Sequence, residues 1–372
     1  MRFVVFTHSL ASDWNHGNAH FLRGVCCELL ARGHEVIAFE PEGAWSRTNL
    51  IADAGDGADE AWRSVYPALT SRVYQGLPDF DEALDGADVV LVHEWNEHSL
   101  VAAIGNHRAR RGSYTLLFHD THHRSVTAPE SMSQYDLSGY DGVLAFGASV
   151  AEQYEKRGWA NAVWVWHEAA DTRVFRPLAS EKEGDLVWIG NWGDDERTAE
   201  LREFLLEPVR QLGFQATVHG VRYPQAAREE LSQAGIAYRG YLPNFRAPEV
   251  FARYLMTIHI PRRPYAEALR GVPTIRVFEA LACGIPLVSA PWDDSEGLFT
   301  PGEDFLVARS GEEMRRQLQA LHEDAAMRRA IAERGLKTIQ QRHTCAHRVE
   351  ELLQIVGKAR EERYASAVDV AQ

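Results

Sequence analysis

Cysteine is scarce in this chain and is placed for neither of its structural uses. Cys26, Cys27, Cys283 and Cys345 form no C-x-x-C pair and no framework of close spacings, which sets aside zinc ribbons and disulfide scaffolds. Long apolar runs are missing as well. No stretch approaches the ~18 residues needed to span a bilayer, and the apolar start is too short for a signal peptide, so a cytoplasmic protein without a membrane span is expected. Positive charge is in the minority, with 39 Lys and Arg against 53 Asp and Glu and a formal net charge of −14. That balance is a poor match to a polyanion and predicts no nucleic-acid partner. G-x-G-x-x-G, P-loop and H-E-x-x-H spacings are all absent, which removes the main support for dinucleotide, P-loop and zincin chemistry.

What is present is a core-forming composition. Of 372 residues, 45% are hydrophobic, and ten Trp, fifteen Phe and twelve Tyr are among them; at roughly 100–200 residues per domain, two domains are expected. Short apolar runs alternate with amphipathic stretches, the pattern of a parallel α/β sheet with crossover helices. The first series of strands runs through Phe3–Phe6, Glu35–Phe39, Val89–Val92, Tyr114–Phe118, Gly142–Phe146 and Ala162–Trp166. A second series runs through 185–190, 216–220, 257–260, 286–289 and 305–307, with helices near 196–212, 225–234, 274–283 and 311–320. The expected organisation is a domain over 1–170, a polar hinge over 171–184, a second domain over 185–340 and a helical segment over 341–372. Two doubly wound sheets predict ligands at the carboxyl ends of the strands.

Three segments carry candidate chemistry. The long loop after the first strand, Thr7 to Asn18, puts His16, Gly17 and Asn18 ahead of a helix, where N–H groups favour a polar or anionic ligand. His119-Asp120-Thr121-His122-His123 follows the Tyr114–Phe118 strand, so its side chains are expected to emerge at the cleft edge, a placement suited to proton transfer or sugar hydroxyl contacts, with His119 and Asp120 as the catalytic candidates. His93 is a weaker candidate of the same kind, and the 119–123 cluster also admits a metallohydrolase reading. Pro273 to Pro286 predicts a short helix with Thr274 as N-cap and Gly284 closing it. Glu279 is the one acid on that otherwise apolar stretch; it needs a polar ligand, a solvent-facing position or a structural arginine partner.

Phe278-Glu279-Ala280-Leu281-Ala282-Cys283-Gly284-Ile285-Pro286 resembles the F-E-A-L-A-C-G-x-P segment of GT-B glycosyltransferases of the group-1, glycogen-synthase-like kind. Glu168 to Pro177 is similar to the interdomain segment of that family, and Leu29 to Val36 to its first-helix signature. Ile189-Gly190-Asn191 with Asp195-Glu196-Arg197, Arg276-Val277-Phe278-Glu279, and His343-Thr344 with His347-Arg348-Val349 resemble the CgeB-like branch. The resemblance implies a GT-B fold, two Rossmann-like domains facing across a cleft, with a C-terminal helix returning to the first. It implies that Glu279 binds the ribose of a nucleotide-sugar donor.

The resemblance further implies transfer of a sugar from a nucleotide diphosphate sugar to an acceptor on the first domain, without a metal ion or other cofactor. The acceptor class stays open among saccharide, protein, lipid and small metabolite. Gly190, Asn191 and Thr274 would line the donor site, Arg197, Arg262, Arg263 and Arg276 would offset the diphosphate charge, and Tyr241 would stack on the base. His16, Gly17, Asn18 and His93 would belong to the acceptor side. One departure stands out: the E-x7-E spacing of retaining members places its first glutamate at Gly271, which leaves the donor sugar and the stereochemical outcome open. A GT-B nucleotide-sugar epimerase and a non-catalytic sugar-nucleotide-binding protein are the alternatives.

Overall fold

Runs such as Phe3 to Phe6 and Val89 to Val92 are apolar at every position rather than alternating, which suits strands covered on both faces, and all eight residues are buried. The computed structural model describes the backbone of residues 1–370 and the side chains of residues 1–365. In the first sheet, β1 (Arg2–Phe6), β2 (Glu35–Pro41), β3 (Ser71–Tyr74), β4 (Val89–His93), β5 (Thr115–Asp120), β6 (Gly142–Ala145) and β7 (Val163–Val165) lie in the order β3-β2-β1-β4-β5-β6-β7. All pairings are parallel, with Val4 opposite both Ile37 and Val90.

The second sheet holds β8 (Gly184–Ile189), β9 (Ala216–His219), β10 (Ile236–Tyr238), β11 (Tyr254–His259), β12 (Leu287–Ser289) and β13 (Leu306–Val307), in the order β10-β9-β8-β11-β12-β13. It too is wholly parallel. Its core packs Trp188, Leu205, Val218, Met256, Ile258, Met314 and Leu318 between sheet and helices. The helix over 198–212 contains a π turn at Arg202–Leu206, just ahead of Pro208, whose ring nitrogen cannot donate. Both sheets are of the Rossmann kind, and each reverses its direction of growth once, at β1/β4 and at β8/β11.

Contacts divide the chain into two units. The first comprises Met1–Asp13, Leu22–His167 and the chain from Cys345; the second comprises Trp14–Phe21 and Glu168–Thr344. The sequence reading kept all of 1–170 together and did not foresee that Trp14–Phe21 groups with the second unit. The Cys345–Val370 helix lies on the first unit, where Arg360 Nη2 donates to the Asp88 carbonyl (3.0 Å) and Trp166 Nε1 to the Arg348 carbonyl (2.8 Å). Ala371 and Gln372 of the expected 341–372 segment lie outside the described residues. Among the described residues no helix is long and apolar enough to cross a membrane.

Candidate functional site

The β8/β11 reversal of the second unit is built around Arg197. Gly190-Asn191 leaves β8 and Ile260 to Arg263 leaves β11, and Arg197 ties the two loops: Nη1 donates to the Ile260 carbonyl (3.0 Å), Nη2 to the Asn191 carbonyl (2.8 Å) and to Asn191 Oδ1 (2.5 Å). The same Oδ1 accepts from Arg262 Nη2 at 3.1 Å, while Arg262 Nη1 pairs with Glu196. Asn15 of the early loop accepts from Asn191 Nδ2. Every hydrogen bond of Arg197 goes to a neutral oxygen, and its Nε is buried with no acceptor among the described residues. Burial, then the neighbouring Arg262, lowers its pKa to about 9. The guanidinium stays charged at neutral pH, so the direction marks a cation whose charge Glu196 offsets only in part.

Local backbone chemistry holds this arrangement. Gly193 has φ +82°, and a Cβ there would stand 2.6 Å from Cγ and Nε of Arg197; only glycine lets the turn cross that side chain. A Cβ on Gly220 would fall 2.0 Å from the Gly190 carbonyl oxygen, which instead accepts the Tyr223 hydroxyl at 2.9 Å. Arg263 pairs with Glu200 at 3.0 Å and donates to the Asp195 carbonyl. It lines a groove of about 580 Å³ with Glu200, Glu267, Arg270, Trp292 and Asp293. Tyr241, after β10, is half-buried.

The Ile275–Ala282 helix borders the cluster. Thr274 occupies its N-cap position, but its hydroxyl makes no capping bond and faces His259 Nε2 at 3.1 Å instead. His259 Nδ1 lies 2.9 Å from Ser289 Oγ, which donates to the Ala290 carbonyl; His259 therefore carries its hydrogen on Nδ1 and accepts from Thr274. Burial, Arg197 and Arg276 hold its pKa down at about 3. The helix N-terminus is partly closed, because buried Glu168 accepts the Ile275 N–H. Asn18 Nδ2 also donates to Glu168, at 2.8 Å, and burial, then the charge of Glu279, raises Glu168 to about 8.

Glu279 is fully buried, with Oε1 2.9 Å from His20 Nδ1 and Oε2 paired with Arg276. The Asp171 N–H donates to His20 Nε2 at 2.8 Å, which fixes the hydrogen on Nδ1 and aims it at Glu279. The His20 ring stacks on Phe175 with centroids 3.8 Å apart. Of the alternatives weighed for Glu279, this setting is the buried carboxylate with an arginine partner, and a ribose would have to displace one of its partners. Gly17 backs onto this helix, since a Cβ there would meet Ile275 Cγ2 at 2.9 Å, and His16 is buried in the same segment. His16, Gly17 and Asn18 thus group with the second unit, whereas the sequence reading placed them with the first domain.

In the first unit β4 and β5 run further than expected. β5 includes His119 and Asp120 and β4 includes His93, so His93 and His119 are opposite each other in the ladder and buried within it rather than emerging beyond the strand ends. His119 is buried between His93 and Trp166, with its pKa lowered by burial to about 3. Asp120 accepts from Tyr154 (2.8 Å) and the His122 N–H (3.0 Å), and burial raises it to about 6. Their setting gives no support to proton transfer by either group. His93 Nε2 meets Thr121 Oγ1 at 3.0 Å. Among the described residues no group of three or more His, Cys, Asp or Glu side chains could hold a metal ion. Asn15, His20, Glu168 and His259 were not foreseen as site residues; for His20 and His259 the local signal is a polar residue beside apolar neighbours.

Residues 197–354 match the family model described as glycosyl transferase-like; the matched segment begins at Arg197 and includes Arg262, Arg276 and Glu279. A search of curated proteins gave no match. Solved structures do match. An alpha-glucosyltransferase in complex with UDP and a 13-mer DNA containing an HMU base superposes with a TM-score of 0.69 at 12% identity, over 96% of this chain and 99% of the other. Anabaena Alr3699/HepE in complex with UDP-glucose gives 0.68 at 13% identity, over 96% and 100%. A glycosyltransferase from Rickettsia africae gives 0.67 at 10% identity, over 96% and 98%. The fold of this chain is GT-B, and the stretch that matches the glycosyl transferase-like model begins in its second unit.

Proposed function

We propose that the chain is a glycosyltransferase that moves a sugar from a uridine diphosphate sugar to an acceptor held by the first unit. The observation that carries the donor half is Arg197, a cation bonded only to neutral oxygens beside Arg262, with a buried Nε–H that lacks an acceptor. A diphosphate supplies both the missing charge and the missing acceptor. Breaking the anomeric C–O bond leaves negative charge on the departing diphosphate, and fixed cations aimed at that charge lower the barrier. Arg197 and Arg262 fill this role, and Arg276 joins them from the helix, oriented by Glu279. With arginines supplying the charge, the reading contains no metal ion. Uridine is favoured because two of the similar structures are described with UDP or UDP-glucose.

Incubation of the purified chain with UDP-glucose, UDP-galactose and UDP-N-acetylglucosamine, with UDP release as the readout, tests the reading. Release above the uncatalysed rate from at least one donor is expected. No release from any, with or without a glycoside panel as acceptors, would contradict it.

A further inference from the structure

The first unit has its own reversal, at β1/β4, and an exposed aromatic stands there. Trp95, two residues beyond β4, is 40% exposed, and its indole N–H bonds to no protein atom among the described residues. Arg124 lies over the ring with its guanidinium carbon 4.3 Å from the centroid. His122 meets the indole edge-on at 5.0 Å and 74°, and His8, two residues beyond β1, lies 6.3 Å away. What sets this ring apart from other exposed apolar side chains is its place, at the carboxyl edge of a parallel sheet beside the reversal of strand order, where such sheets bind ligands.

The platform is held from beneath. Arg124 Nε and Nη2 bond Glu94 Oε2 (3.2 and 3.0 Å), and Nη2 also reaches the Glu94 carbonyl (2.7 Å) and the Tyr135 hydroxyl (3.0 Å). Nη1 bonds nothing among the described residues. Glu94 is fully buried beside Asp120, an expensive arrangement for a merely structural contact. The network fixes the guanidinium on one side of the indole and leaves Nη1, the indole N–H and the ring free for a ligand.

Building on the glycosyltransferase reading, we infer that Trp95 and Arg124 form the acceptor platform and that the acceptor is a carbohydrate. The C–H face of a pyranose carries partial positive charge and stacks on the electron-rich indole face, while Arg124 Nη1 and the indole N–H donate to ring hydroxyls. One guanidinium, in a chain of net charge −14, is a poor counterpart to a phosphate backbone, although one similar structure is described with DNA. The carbohydrate is therefore favoured over an oligonucleotide.

The test uses the full chain labelled with 5-fluorotryptophan, the Trp95 signal being assigned from Trp95→Phe. Methyl glycosides of glucose, galactose and N-acetylglucosamine and a single-stranded oligonucleotide are titrated separately, and UDP binding is followed on the same sample by other Trp signals. Saturable movement of the Trp95 signal by a glycoside, weakened about tenfold or more in Arg124→Lys, is expected. A Trp95 signal that no glycoside moves, or that only the oligonucleotide moves, overturns the inference. UDP binding bears on the donor reading alone, so the two can fail separately.

Discussion

His20 and Glu279, 259 positions apart in sequence, meet through a 2.9 Å hydrogen bond between Nδ1 and Oε1, and neither side chain is exposed. Because the Asp171 N–H occupies Nε2, the imidazole has a single orientation in which it serves the carboxylate. Glu279 in turn holds Arg276. On the proposed reading, the residue that carries the family resemblance acts on the diphosphate through an arginine; its own carboxylate is kept in place by a residue in the first turn of the Ala19–Ala31 helix.

Loss of this donor leaves a buried carboxylate oxygen unsatisfied. His20→Ala is expected to destabilise the second unit by about 2 kcal/mol. His20→Asn, whose amide N–H can replace Nδ1–H, should recover much of that loss. Urea unfolding followed by tryptophan fluorescence measures both; an alanine variant as stable as the parent would show that the bond carries no weight.

Glu168 gives a pH dependence of definite sign. Its folded-state pKa is raised from an ordinary 4.5 to about 8 by burial and Glu279, so between these values the folded state binds the extra proton. Stability from this group is present at low pH and is lost as pH rises through the window, at up to ~1.4 kcal/mol per pH unit. Glu168→Gln removes the titration. Chemical denaturation at pH 5 to 8 should therefore show the variant gaining on the parent as pH rises; parallel curves would contradict the assignment.

Gly193→Ala forces a positive-φ turn onto a Cβ that strikes Arg197. A stability loss of about 2 kcal/mol is expected together with weaker UDP binding, because the same contact sets the guanidinium. Unchanged binding in a folded variant would separate Gly193 from the site.

Much of the fold was legible because buried parallel strands announce themselves as apolar runs. Exceptions have physical reasons. β3, Ser-Arg-Val-Tyr, is a half-exposed edge strand without that composition. β5 outran its apolar run because His119 and Asp120 extend the ladder and find partners inside. In the site, the segments around Arg197 and Glu279 were readable from spacing and resemblance. Their partners Asn15, His20 and Glu168 were not, since a contact formed across more than a hundred residues leaves no local period. Gly271 does have a conformational reason to be glycine, with φ +85° and Ser295 Oγ 2.5 Å from where a Cβ would stand.

The role of Arg276 can be separated from that of Glu279. Arg276→Ala should weaken UDP-sugar binding about tenfold, the scale of one lost charge-assisted hydrogen bond. Glu279→Gln, which keeps the shape but loosens the arginine, should weaken it less. Equal affinities for parent and Arg276→Ala in equilibrium dialysis would remove Arg276 from the donor site.

The central claim is that the incompletely neutralised Arg197 at the β8/β11 reversal binds a nucleoside diphosphate. Isothermal titration of UDP into the parent protein and into Arg197→Ala, with thermal unfolding confirming that the variant is folded, tests it most directly. Saturable binding to the parent, weakened about tenfold or more in the variant, is the predicted result. A folded variant that binds UDP as tightly as the parent, or a parent that binds none, would contradict the account.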